Sequence, residues 1–85
     1  EIVEGIRLLA RTEGIFAETA GGVTIASLVQ LVDAGVVRPD EQVVALVTGN
    51  GLKTIEAVAP HCGPTATIAP TIEAFAQAVD LPSEL

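Results

Sequence analysis

Residues 42–47, Gln-Val-Val-Ala-Leu-Val, form an almost unbroken apolar run that opens onto Thr48-Gly49-Asn50-Gly51-Leu52-Lys53. A segment apolar on both of its alternating faces cannot border water on either side. It therefore predicts a central strand of a covered, mostly parallel sheet. Ligands of such sheets collect beyond the carboxyl ends of the strands, so Thr48 stands where a small molecule would be met. The expected fold class is α/β, with helices flanking the sheet.

The chain has 85 residues, of which 49% are hydrophobic, with two Phe and no Trp, Tyr or Met. A chain this short buries only about 60% of the surface its unfolded form exposes. Small aliphatics pack tightly but lack the broad rings that usually anchor a compact core. Such a composition suits the interior of a larger α/β protein. Eleven acidic against four basic side chains give a formal net charge of −7, which repels a phosphate backbone and argues against a nucleic-acid partner. The single cysteine, Cys62, rules out an internal disulfide framework and fits a reducing compartment. No apolar stretch approaches the roughly 20 residues that span a bilayer, and the acidic start lacks the basic region of a signal peptide. A cytoplasmic location without a membrane partner is the expectation.

In residues 1–12, Ile2, Val3, Ile6, Leu9 and Ala10 recur at helical spacing while Glu1, Glu4, Arg7 and Arg11 take the other side, predicting an amphipathic helix. Acids lead and arginines trail, which complements the helix dipole, and Glu4 can pair with Arg7. Gly5 costs about 1 kcal/mol against alanine in a helix, which suggests close approach by a neighbour. Gly14 ends this helix, and a second is expected from about residue 22 to 34, stopped by Gly35. Its polar residues Thr24, Ser27, Gln30 and Asp33 fall every third position and rotate around the axis, so little of it should remain for solvent. Arg38-Pro39-Asp40-Glu41 reads as a turn feeding the strand at 42–47. Beyond the glycine loop, a short helix over 54–59 capped by the Thr54 hydroxyl, a weakly alternating strand at 65–68, and a last helix over 72–79 capped by Thr71 complete the expected order. Glu73 and Asp80 fall on the wet face of that last helix. Two strands at most cannot cover a run like 43–47, so neighbouring strands and helices must come from elsewhere.

Glu13-Gly-Ile-Phe-Ala-Glu-Thr-Ala-Gly-Gly-Val-Thr24 and Val47-Thr-Gly-Asn-Gly-Leu-Lys53 together resemble threonine synthase, a pyridoxal-phosphate enzyme of the tryptophan-synthase-β-like fold (fold type II). Order and spacing match from Glu1 to about Thr54, with an Arg-Pro-Asp-Glu turn between, and the likeness thins beyond. The resemblance implies that residues 1–85 are a single segment, the C-terminal part of the catalytic domain and not a complete domain. The family's cofactor-anchoring lysine and phosphate-cradling loop lie in earlier parts of the chain. No catalytic residue is therefore expected in this segment, nor activity from it alone. Its partners would be the remainder of the catalytic domain and a small amino-acid substrate, with a homo-oligomer as the intact assembly. The family converts O-phospho-L-homoserine and water to L-threonine and phosphate with pyridoxal 5'-phosphate.

The resemblance carries a contact with the pyridine nitrogen of the cofactor onto Thr48. A neutral hydroxyl suits an unprotonated ring nitrogen, whereas a carboxylate would favour the pyridinium. Read without the resemblance, Thr48 equally suits a strand end with its hydroxyl on nearby backbone. Gly49 allows backbone close to a planar ring, and Asn50 offers an amide and tolerates left-handed geometry. Glu18 either borders the cofactor pocket, as the resemblance implies, or is an acid favoured by a helix N-terminus. Relatives of the wider fold have Glu-Pro-Ala here, whereas this chain has Thr19 in place of Pro, with Gly21-Gly22 after it. Lys53 reads as a loop cation or local charge partner and not as the cofactor's lysine. His61 and Cys62 adjoin, but no second His or Cys exists to build a metal site with them. Two other readings stay open. One is a dehydratase or β-replacement enzyme on the same scaffold; the other is a non-catalytic assembly module that buries its apolar surface by oligomerising.

Overall fold

The computed structural model describes residues 1–79. Two helices, α1 (Ile2–Glu13) and α2 (Thr19–Asp33), pack against each other and are followed by an extended segment at 42–48. A 3-10 turn of helix, η1 (Gly51–Ala57), and a short α3 (Ile72–Ala78) complete the chain in order.

α1 ends as its sequence directs: Gly14 adopts φ 68°, and its N–H donates to the Ala10 carbonyl at 3.0 Å. The Glu4–Arg7 pair forms at 3.0 Å on the exposed face. Gly5 and Gly22 are the point of closest approach between the helices. A Cβ on Gly5 would run into the Gly22 carbonyl, and one on Gly22 would meet the Ile2 carbonyl at 2.5 Å and Ile6 Cγ1 at 2.7 Å. Ile6 and Leu9 of α1 are buried, and Leu9 joins Ala17 and Ile25 in a small apolar cluster.

α2 starts three residues before the expected position, so that Gly21 and Gly22 lie inside it. Both glycines are buried, Gly21 beside Ala17 and Val47 and Gly22 under α1. The pair reads as a break in a propensity scan, but here the missing side chains are what admit neighbours. The expectation that α2 would be almost wholly covered is not met, since Val23, Val29, Leu31 and Val32 are exposed. α2 meets α1 on its Gly22 side and Ala17 and Val47 on its Gly21 side, and these four side chains find no full cover among the described residues. Ala34 caps the helix, Gly35 follows at φ 74°, and the Arg38–Glu41 turn closes with a 3.0 Å backbone hydrogen bond.

The expected strand at 42–47 is not formed, nor is the one at 65–68; among the described residues the sole β pairing is an antiparallel bridge between Ala17 and Asn50. The 42–48 segment is extended, and its alternation is visible: Ala45 and Val47 pack on the apolar cluster, while Val44 and Leu46 are 83% and 71% exposed. The physical reason is that a strand is defined by a hydrogen-bonded neighbour. Among the described residues no second segment pairs with this one, so its backbone forms no ladder there. The molecule is correspondingly open. Its radius of gyration is 17.2 Å, against about 12 Å for a compact domain of this length. Its accessible surface is 6631 Å², against roughly 4,700 Å² for a folded monomer of this mass.

The short helix is also displaced. It begins at Gly51, and Asn50 Oδ1 caps it by accepting from the Leu52 N–H at 2.9 Å. Thr54, expected to be that cap, instead breaks the helix at φ −130°, ψ 41°. Thr71 does cap α3, its hydroxyl accepting from the Ala74 N–H at 3.1 Å. Glu73 is exposed on α3 as expected, whereas Asp80 lies outside the described residues.

Candidate functional site

The start of α2 and the loop after the extended segment are joined edge to edge. The Glu18 N–H donates to the Gly49 carbonyl at 3.0 Å, and the Gly51 N–H donates to the Phe16 carbonyl at 2.9 Å. Two short stretches more than thirty residues apart, 16–18 and 49–51, thus form one small platform. Ala17, between them, is fully buried. The platform tolerates no bulk on its inner positions: a Cβ on Gly49 would collide with the Glu18 carboxyl group, and one on Gly51 with the Phe16 ring. Both glycines therefore owe their place to close approach and not to positive φ, since Gly14 and Gly35 are the glycines with φ > 0 among the described residues.

Thr48 sits at the edge of this platform and is exposed. None of the hydrogen bonds found among the described residues engages its hydroxyl. Asn50 is exposed; its side-chain oxygen is committed to the Leu52 N–H. Glu18 is the N-cap of α2 by position, yet its side chain makes no capping hydrogen bond. Its carboxylate turns instead toward Gly49 and lies 3.5 Å from the Lys53 ammonium; the Glu18 side chain is only 12% exposed, the Lys53 side chain 73%. Lys53 is thus a charge partner, as its loop position suggested.

Sequence reasoning missed Thr54. Its hydroxyl accepts from the Thr19 N–H at 3.2 Å, which satisfies one of the four amides left open at the start of α2. The helix cap is supplied from 35 residues away and not by the adjoining Glu18. No local motif signals such a contact, because capping patterns are read within one turn. His61 and Cys62 close a turn on the Val58 carbonyl at 2.8 and 2.9 Å. Among the described residues no group of acidic, His and Cys side chains is placed to hold a metal ion. Nor is any helix there long and apolar enough to cross a membrane.

A neutral hydroxyl suits a ring nitrogen that carries no proton, and Thr48 is exposed at the edge of the glycine-lined platform. The residues present fit pyridoxal phosphate as one edge of a site.

Residues 1–49 match the family described as pyridoxal-phosphate dependent enzyme. The chain is 49% identical over 57 residues to the threonine synthase of Methanocaldococcus jannaschii, covering 67% of this chain and 14% of that one. It is 47% identical over 53 residues to that of Bacillus sp. (strain ULM1), covering 62% and 15%. With the threonine synthase of Methanosarcina acetivorans, identity is 38% over 79 residues, 93% of this chain and 20% of the other. The chain therefore spans between 14% and 20% of the length of these relatives. The resemblance in residues 13–24 and 47–53 agrees with these matches, and the cofactor of the intact enzyme is pyridoxal phosphate. With its first 49 residues matched and up to 79 of its residues aligned with threonine synthases, this protein belongs to the family of pyridoxal-phosphate-dependent enzymes.

Proposed function

We propose that this chain is the C-terminal part of the catalytic domain of a threonine synthase, which converts O-phospho-L-homoserine and water to L-threonine and phosphate. The observation that carries the reading is the junction of 16–18 with 49–51, because it brings together the two stretches that resemble the family and leaves the Thr48 hydroxyl open beside them. When bound, pyridoxal phosphate supplies the electron sink for carbanion chemistry. The Thr48 hydroxyl would donate a hydrogen bond to the unprotonated ring nitrogen, favouring its neutral form and moderating the sink. Gly49 and Asn50 would line the ring edge with backbone, and Glu18 would close the wall behind Gly49.

The remainder of the catalytic domain would supply the strands that pair with residues 42–47, completing a mostly parallel sheet. It would also cover Val44, Leu46 and the open flank of α2, surfaces too apolar to be left to water. The chain alone would be inactive, and the intact enzyme a cytoplasmic homo-oligomer.

The test is Thr48→Val in the intact protein. The variant should show a shifted absorbance of the bound cofactor and turnover lowered about tenfold, equivalent to one hydrogen bond of about 1.4 kcal/mol. Unchanged spectra and rates would contradict it.

A further inference from the structure

Resting on that reading, we propose that Lys53 and Thr54 are positioning residues that set where the Thr48 hydroxyl lies, acting through Glu18 and the first amide of α2 without contacting the cofactor themselves. The loop from 48 to 54 is anchored at both ends. At its beginning the Gly49 carbonyl accepts from the Glu18 N–H at 3.0 Å, and the Glu18 carboxylate occupies the volume that a side chain at 49 would need. Lys53 reaches back across the loop to that carboxylate at 3.5 Å, so the side chain packed against Gly49 is itself held. At the far end, Thr54 departs from helical geometry and its hydroxyl meets the Thr19 N–H. That departure interrupts η1 at the residue whose side chain bonds α2. Between the anchors, the Asn50–Leu52 hydrogen bond stiffens the turn.

Thr48 itself makes no such bond, so its position follows from the anchors. One lies next to it in sequence, and the other closes a loop too short to rearrange independently. Lys53 is largely exposed, so its contribution is the smaller one, as expected for a solvent-screened pair. Thr54 is half-buried, and losing its acceptor leaves a helix amide without a partner.

The experiment has two readouts in the intact protein: amide hydrogen exchange at 49–51 in the cofactor-free form, and fluorescence emission of bound pyridoxal phosphate. Thr54→Val should raise exchange about three- to tenfold and move the emission in the same direction as Thr48→Val, with Thr54→Ser restoring both. Lys53→Met should do the same to about twofold, with Lys53→Arg restoring it; this exposed change serves if Thr54→Val does not fold. Unchanged exchange in both variants overturns the two anchors. Raised exchange with unmoved emission, where Thr48→Val does move it, overturns the positioning role. An emission that Thr48→Val itself leaves unmoved overturns the Thr48 contact, and the positioning role with it, even where exchange rises.

Discussion

The segment at 42–48 is more apolar than the α1–α2 pair, yet the helices are held from within the chain and the segment is not. The helices satisfy their own backbone and need only a side-chain seam, which Gly5 and Gly22 provide by letting the axes approach until backbone meets side chain. The extended segment has the right alternation, with Ala45 and Val47 on the cluster, but its hydrogen bonds have to come from another strand. Helical structure is thus local property plus one contact, and strand structure is a property of the assembly.

The sharpest way to break that contrast is Val44→Asp made twice. In this chain alone, where Val44 is 83% exposed, the change should alter stability by no more than about 0.5 kcal/mol. In the intact protein it should cost more than about 4 kcal/mol, the penalty of a buried unpaired charge. Denaturant midpoints of both forms would measure it, and equal small effects would mean that residue 44 stays in water. Gly22→Val tests the helix side, where the new side chain would meet the Ile2 carbonyl and Ile6. A loss of about 1 to 3 kcal/mol is expected by thermal or denaturant unfolding of the intact protein. A neutral result would mean that the helices are free to separate. The smallest effect belongs to Arg7→Ala, which removes an exposed i,i+3 pair and should cost at most about 0.5 kcal/mol, vanishing at high salt.

The same contrast explains what could be read from the sequence. α1, its Gly14 stop and the Thr71 cap of α3 were legible because periodicity and capping act within a turn or two. The start of α2 was not, since Gly21 and Gly22 look like a helix breaker until Ala17, Val47 and α1 are brought beside them. Its exposure departs from expectation for a related reason: the rotating polar residues describe a helix covered all round, whereas Val23, Val29, Leu31 and Val32 are exposed here. Thr54 was assigned to its own helix, but its bond partner is Thr19, fixed only by the folded arrangement. In the candidate site, Thr48, Gly49, Asn50 and Glu18 could be named from their wording, whereas the bonds that tie Glu18 to Gly49 and Lys53 could not.

The most direct measurement is a crystal structure of the intact protein with pyridoxal phosphate bound. Residues 42–47 are expected to be paired on both sides in a sheet, with Thr48 Oγ1 about 2.7 to 3.0 Å from the pyridine nitrogen. A structure in which 42–47 remains unpaired, or in which Thr48 lies away from the ring with its hydroxyl on backbone, would contradict it.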